Sequence, residues 1–161
     1  MDTLFKIGDQ IIYPMHGAAV IDSIEEREIE GRTQQYFVLH ISTNDMKLMI
    51  PKANVSNSNI RLVSDQALLE TVLDDFSHGE PDHFSSWKQR YDSNMKKLKS
   101  GELLAGAQVV RDLTLQNKEK KLNSSEKQML DNAKKMFISE ISLIKGISHN
   151  QATEYFNETL G

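Results

Sequence analysis

The stretch GAAVIDSIEEREIEG, residues 17–31, decides the first half of the fold. It is rich in isoleucine, its apolar and polar residues partly alternate, and a glycine closes it, as expected of a strand that enters a turn. The next segment, TQQYFVLHIS at residues 33–42, is again rich in aromatic and β-branched residues. We therefore predict a β-hairpin whose turn lies at Glu30, Gly31 and Arg32.

Two shorter segments extend this β region. IGDQIIYP, residues 7–14, precedes the hairpin, and MKLMIP, residues 46–51, follows it. Pro14 and Gly17 bracket a bend, and Pro51 ends the last long strand because proline lacks the N–H that a sheet requires. Short strands joined by tight turns over this length cannot form a large sandwich, so a small curled barrel or half-barrel is expected.

After Arg61 the apolar residues recur at helical spacing. Helices are predicted at residues 65–76, in the segment after Phe84, at residues 101–121 and in two segments after Leu122. Their expected N-terminal caps are Ser64, Ser85 or Ser86, a reciprocal capping box of Asn123 and Glu126, and a second box of Ser148 and Gln151. Gly101 and Gly146 are expected to end the second and fourth helices.

These patterns predict an α+β protein with a β module at residues 1–62 and a compact helical bundle at residues 63–161. No flexible linker separates the two parts. The modules are therefore expected to pack together or to hold a semi-fixed relation.

Composition argues against several classes of chemistry. The chain has 161 residues and no cysteine, which excludes disulfides, thiolate catalysis and cysteine-bound zinc. Its five histidines lack metal-site spacing, and the sequence has neither a phosphate-binding glycine loop nor a nucleophile elbow. We expect a monomer without enzymatic activity, cofactor or metal. No segment resembles a signal peptide or a spanning helix, so a cytoplasmic location without a membrane partner is expected.

Charge is distributed unevenly along the chain. Residues 85–135 contain 12 lysines and arginines against 6 acidic residues, whereas the rest contains 7 against 17. The middle stretch therefore carries a formal charge of +6 in a protein of net charge −4. Such a stretch suits an anionic partner, while the remaining surface has a different role.

The only tryptophan, Trp87, lies at the start of the second predicted helix beside Lys88 and Arg90. Cations are unfavourable near a helix N-terminus, whose dipole and free N–H groups attract anions, so these basic residues indicate a phosphate contact. An aromatic wedge beside such a clamp is one way in which proteins open a base step in the minor groove.

Apolar spacing supports the opposite interpretation of Trp87. An ordinary core stripe recurs every three or four residues, and on that spacing alone a buried Trp87 is favoured. The stripe consists of Phe84, Trp87, Tyr91, Met95 and Leu98. The residues alone leave both interpretations open.

Motifs along nearly the whole chain resemble the CarD/CdnL family of bacterial transcription regulators. They are, in order, FKIGDQIIYPMHGAAVIDSIEEREIEG, YFVLHI, MKLMIP, W-x-x-R-Y, N-x-x-K-L-x-S-G, VVRDL and SEKQML-x-x-A. Each fragment alone is weakly specific, but their ordered conjunction is strong. The first part is also similar to the polymerase-binding module of the transcription-repair coupling factor, whereas the helical half points to the regulators.

The resemblance implies a small Tudor-like, SH3-type β-barrel module that docks on the β subunit of RNA polymerase. It also implies a helical module that contacts promoter DNA, weakly and without sequence choice, at the upstream edge of the transcription bubble. In such proteins a tryptophan wedges into the minor groove there and stabilises the open complex. Trp87 matches that tryptophan, and polymerase binding would place the protein on the nucleoid.

Carried over by motif, the polymerase contacts fall on Arg27 and Ile29, which match basic and apolar contact positions of the family. Met49 stands where a further basic contact is expected, so this interface is predicted to be more apolar here.

Gln89 and Asp92 occupy positions near the wedge that often carry basic residues. Fewer phosphate contacts imply weaker DNA attraction and a shallower salt dependence. The expected DNA-binding residues are Trp87, Lys88, Arg90 and Lys127.

A second class of function stays open at the level of sequence. The chain could be a protein adaptor whose helical bundle binds another protein or an acidic tail instead of DNA. Protection of forked promoter DNA that depends on Trp87 would distinguish the regulator from the adaptor.

Overall fold

The structure is a computed structural model that describes residues 5–41, 45–81, 83–84 and 86–160. Within these residues the strands are β1 Gln10–Tyr13, β2 Gly17–Ile29, β3 Arg32–Ile41, β4 Met46–Pro51 and β5 Arg61–Leu62, with a 3-10 helix at Lys52–Asn57. The helices are α1 Gln66–His78, α2 Trp87–Ser100, α3 Leu103–Glu119, α4 Ser124–Lys145 and α5 His149–Leu160. Strands thus precede helices along the chain, which confirms the predicted α+β class.

The strands form one antiparallel sheet in the order β4-β3-β2-β1-β5. β2 and β3 form the central hairpin, in which Ile29 pairs with Arg32 across a turn of Glu30 and Gly31. Both turn residues have positive φ, 51° and 75°, as the favoured two-residue hairpin turn requires. The predicted hairpin is confirmed, although Arg32 belongs to the strand and not to the turn.

The two faces of the sheet have different surroundings. A bulge between Ile21 and Ser23 shifts the alternation of β2, so that Ile24 faces the same apolar core as Ile21. The opposite face packs against α4 near Ala18 and is open along the hairpin. The buried core of the β module consists of Ile11, Ala19, Ile21, Phe37, Leu39, Ile41, Ile50 and Val55.

Hydrogen bonds do not close the described strands into a barrel, since β4 and β5 are the two edges of the sheet. Val55 of the 3-10 helix and Phe5 help to cover the apolar face. The Phe5 ring packs edge-on against Phe37, with centroids 6.5 Å apart. The predicted barrel module therefore takes the open, half-barrel form.

The helical bundle is centred on α3 and α4. Leu113 and Ile141 are fully buried between the helices, and Phe137 and Phe156 pack edge to face with ring centroids 6.0 Å apart. None of the helices in the described ranges is long and apolar enough to cross a membrane. The bundle thus has its own apolar core, separate from that of the sheet.

Capping residues begin two helices where the sequence predicts. Ser86 caps α2 by accepting a hydrogen bond from the backbone N–H of Gln89 at 3.2 Å, while Ser85 lies outside the described residues. Ser148 and Gln151 exchange both bonds of the predicted capping box. These local signals were therefore sufficient to place the starts of α2 and α5.

The predicted cap of α1 is wrong. Asp65, and not Ser64, caps this helix by accepting from the backbone N–H of Leu68 at 2.8 Å. Ser64 is engaged between the modules, because its N–H donates to Glu140 and its hydroxyl accepts from Arg61.

One partly buried arginine joins β5 to α4. Arg61 donates from its two terminal nitrogens to the two carboxylate oxygens of Glu140, at 2.7 and 2.6 Å. Its Nε also donates to the carbonyl of Gly101 at 2.6 Å, which adds the α2–α3 connection to the same contact. Glu140 is only 2% exposed. A charged, hydrogen-bonded contact therefore holds the β module on the bundle.

Close backbone packing accompanies this contact. The N–H of Ala18 donates to Ser139 Oγ at 3.3 Å, which joins β2 to α4. Gly101 ends α2 with φ of 75°, as predicted, and lies against Pro14 of the β1–β2 turn. A Cβ at Gly101 would lie 2.6 Å from Pro14 Cγ, so only glycine fits there without movement of the turn.

Gly101→Ala is expected to lower the free energy of unfolding by about 2–5 kcal/mol. Left-handed backbone strain contributes about 1–2 kcal/mol, and the overlap with Pro14 adds about 1–3 kcal/mol. Gly146→Ala is the matched control, because Gly146 ends α4 with φ of 65° but has no atom within 4 Å of an added Cβ. Urea unfolding measures both variants, and equal losses would contradict the tight contact with Pro14.

Candidate functional site

The indole of Trp87 lies at the protein surface. Trp87 is the first residue of α2 and is 50% exposed. Its ring packs edge-on against Tyr91, with centroids 6.3 Å apart and an angle of 77° between the ring planes. The contact with Tyr91 steadies the indole while half of the residue remains open to a ligand.

The apolar stripe of α2 becomes more deeply buried along the helix. Phe84 and Trp87 are exposed, Tyr91 and Met95 are partly buried, and Leu98 is buried. The burial of Trp87 that spacing alone favours is therefore wrong. Periodicity defines a direction around a helix, but it does not say how far neighbouring helices extend along it.

A buried ion pair braces the first turn of α2. Arg90 donates from Nε and one terminal nitrogen to the two carboxylate oxygens of Glu126, both at 2.7 Å. The Glu126 side chain is 1% exposed and that of Arg90 is 18% exposed. This bidentate geometry fixes the start of α2 against the start of α4, and with it the position of Trp87.

The sequence predicts Arg90 as a phosphate contact and Glu126 as a capping residue, whereas in the structure their side chains bind each other. The hydrogen bond to Glu126 raises the pKa of Arg90, so this residue remains charged at physiological pH. Glu126 donates its N–H to Asn123 Oδ1 at 2.9 Å, as predicted. The reciprocal half of that capping box is wrong, because the Glu126 carboxylate binds Arg90 instead.

Two lysines are close to this ion pair along the chain. Lys88 precedes Arg90 by two residues and Lys127 directly follows Glu126, so the pair brings the four predicted DNA-binding residues to one end of the bundle. Lys88 and Lys127 are exposed, and neither forms an ion pair within the described ranges. Both are free to meet an anion.

Residues 85–135 keep their net positive charge although two of their arginines form buried ion pairs. Arg90 is paired with Glu126, and Arg111 is paired with Asp112 at 2.9 Å. Each pair is neutral, so the remaining ten basic and four acidic residues of this stretch keep the excess of six charges. The formal excess of positive charge in this stretch thus remains when these two buried pairs are set aside.

A groove of about 250 Å³ lies beside Tyr91, and the sequence did not reveal it because three separate elements form it. One lining residue, Met15 of the β1–β2 turn, has φ of 72°, a conformation that is uncommon for a large side chain. No cluster of histidine and acidic side chains within the described residues could hold a metal ion. The groove is lined by Met15, Tyr91, Met95, Leu98, Ser125, Gln128, Met129 and Asn132.

The three residues expected to contact polymerase share one face of the sheet. Met49 of β4 lies opposite Val38, and Val38 lies opposite Ser23 of β2. Because strand side chains alternate, Ser23, Arg27 and Ile29 point to the same side as Met49. This side is opposite to the apolar core of the module, and we call it the hairpin face.

The hairpin face is open to a partner. Ile29 and Met49 are 54% and 42% exposed. Arg27 donates to Glu25 at 3.0 Å in an ion pair at the protein surface. Such a surface pair contributes about 0–1 kcal/mol, so Arg27 can exchange it for another carboxylate at little cost.

Arg90→Gln is expected to lower the free energy of unfolding by about 3–5 kcal/mol, because Glu126 would be left buried without its partner. Arg27→Gln is the matched control, since it removes an arginine from an exposed pair and should cost about 0–1 kcal/mol. Chemical denaturation measures both. A loss for Arg90→Gln as small as that of the control would contradict the bracing role of Arg90.

Comparison with known proteins finds relatives over nearly the whole chain. The family model described as "CarD, C-terminal domain" matches residues 71–157, and that described as "CarD-like/TRCF RID domain" matches residues 5–64. The Bacillus subtilis (strain 168) protein "Putative transcription factor YdeB" is 49% identical over 152 residues, which cover 94% of this chain and 99% of that protein. The resemblance seen in the motifs is confirmed, and the chain belongs to the CarD-like family of transcription regulators.

Proposed function

We propose that the protein docks on the β subunit of RNA polymerase through the hairpin face and stabilises the promoter open complex with Trp87. The observation that carries this proposal is a half-exposed indole on the first turn of a basic helix, held there by a buried ion pair. The protein acts by binding alone, as a monomer, without a catalytic step or a cofactor.

Family membership and geometry support the polymerase contact. The residues matched by the "CarD-like/TRCF RID domain", 5–64, include Arg27, Ile29 and Met49 on the hairpin face. Two exposed apolar side chains on the same face as an arginine suit the mixed apolar and polar character of a protein interface. We assign residues 1–62 to the polymerase and residues 63–161 to DNA, and polymerase binding places the protein on the nucleoid.

The indole favours open over closed promoter because unstacking costs differ between them. Inserting an aromatic ring at a base step of intact duplex costs a few kcal/mol of stacking, and less at a fork where stacking is already broken. A difference of ~1.4 kcal/mol shifts the equilibrium between open and closed complexes about tenfold. Anchoring on polymerase raises the local concentration of the indole, so weak intrinsic DNA binding is sufficient.

Lys88 and Lys127 supply the phosphate contacts near the indole. Arg90 adds no net charge to this surface because it is paired with Glu126, and that bond holds the helix that presents the indole. With two phosphate contacts, the slope of log affinity against log salt concentration is only about −2. None of these residues reads a base edge, which is consistent with binding that lacks sequence choice.

Trp87→Ala is expected to shorten the lifetime of polymerase–promoter open complexes about tenfold, since the preference for melted DNA is lost. It should change the free energy of unfolding by less than about 0.5–1 kcal/mol, because the residue is half exposed. Decay of open complexes after addition of a polyanionic competitor measures the lifetime.

Leu104→Ala is the control for this experiment, because Leu104 is also an exposed apolar residue on a helix, at 38% exposure. An unchanged lifetime with Trp87→Ala would contradict the wedge and favour a protein adaptor. Collapse of the helical circular dichroism signal would show instead that the indole belongs to the core.

Arg27→Glu is expected to weaken binding to an isolated β-subunit fragment about tenfold or more, because a carboxylate replaces the cation at the hairpin face. Lys6→Glu is the matched charge reversal at an exposed lysine of the same module outside the hairpin. Titration calorimetry compares the two. Equal affinities would remove Arg27 from the interface.

A further inference from the structure

Helix α4 carries two buried carboxylates on one side. Glu126 and Glu140 are 14 residues apart, which is about four helical turns or roughly 21 Å. Because four turns return a helix to nearly the same direction, both side chains lie on the same side of α4. They are 1% and 2% exposed, so neither charge is left to water.

Each carboxylate receives an arginine fork from a different part of the protein. Glu126 binds Arg90 from the helix that presents Trp87, and Glu140 binds Arg61 from the last strand of the β module. Arg61 lies opposite Ile12 of β1, whose neighbour across the sheet is Ala18. The N–H of Ala18 in turn donates to Ser139, which adjoins Glu140.

We propose that α4 is a rigid strut that fixes the position of Trp87 relative to the hairpin face, with Arg61 and Glu140 as its positioning pair. This inference rests on the proposed function. The hairpin face decides where the protein is anchored, and α4 transmits that position to Glu126, roughly 21 Å farther along its axis, which holds the helix of the indole. Arg61 and Glu140 touch neither DNA nor polymerase in this mechanism and act through Trp87.

The chemistry of the pair supports a positioning role. Buried ion pairs often add little net stability compared with apolar side chains of similar volume, so stability alone does not account for a charged contact there. A planar guanidinium bound to both oxygens of a carboxylate permits only one relative orientation, whereas apolar surfaces can slide over each other. Arg61 is further fixed by its bond to Gly101, at the end of the helix that begins with Trp87.

The first experiment measures the geometry directly and does not depend on function. The chain has no cysteine, so spin labels attach only to residues introduced by Thr33→Cys at the hairpin end and Asp92→Cys on α2, both exposed. We expect one narrow distance distribution in this background. Adding Arg61→Met together with Glu140→Gln removes the fork without leaving a buried net charge, and is expected to broaden the distribution.

The second experiment measures the consequence for transcription. The Arg61→Met, Glu140→Gln variant should bind the β-subunit fragment within about twofold of the parent protein, because its hairpin face is unchanged. The lifetime of open complexes should fall about tenfold, since the indole is no longer held at the fork. Glu154→Gln removes a carboxylate from an exposed position of α5 and is the control that should change neither quantity.

The strut would be contradicted if the double variant kept the same narrow distance distribution. It would also be contradicted if the double variant left the open-complex lifetime unchanged while Trp87→Ala shortened that lifetime. If Trp87→Ala does not change the open-complex lifetime, the proposed function is overturned, and so is the role of the strut in transcription. The distances between the spin labels still test whether the two modules are held rigidly. If the double variant fails to fold, Arg61→Lys keeps the charge and loses the fork, and the same two measurements are applied to it. If folded Arg61→Lys shows the parent protein's distance distribution and open-complex lifetime, the strut is likewise overturned.

Discussion

The contact between Arg61 and Glu140 is the constraint on which the rest of the structure depends. Glu140 has almost no access to water, and it satisfies its two oxygens with Arg61 and with the backbone N–H of Ser64. Removing either partner leaves an uncompensated group, so separating the β module from the bundle at this contact is costly. The same contact explains why Ser64 does not cap α1.

A second buried pair repeats this arrangement at the other end of α4. The pair of Arg90 and Glu126 holds the start of α2 in place, and Trp87 therefore projects from a fixed turn and not from a mobile loop. An ordered indole loses little conformational freedom on binding, which would favour the proposed insertion. The surrounding positive charge does not depend on the buried pairs and is available for the proposed phosphate contacts.

Much of the fold could be predicted from sequence because its signals are local. Turn residues, capping residues and helix-ending glycines each act within a few positions, and they placed most strands and helices. The long-range partners could not be predicted in this way. Glu126 has the spacing of a capping residue, but in the structure its carboxylate binds Arg90, 36 positions away. Arg61 and Glu140 are 79 positions apart. Periodicity likewise gave the direction of Trp87 but not its depth.

The most direct test of the central claim uses a fluorescent base analogue at the upstream edge of a forked promoter bound to RNA polymerase. We expect the protein to change the fluorescence of the analogue on the fork, and Trp87→Ala to abolish that change. A fully paired promoter of the same sequence should respond little, because stacking there opposes insertion. An equal response with and without the indole, or an equal response of fork and duplex, would contradict the proposed mechanism.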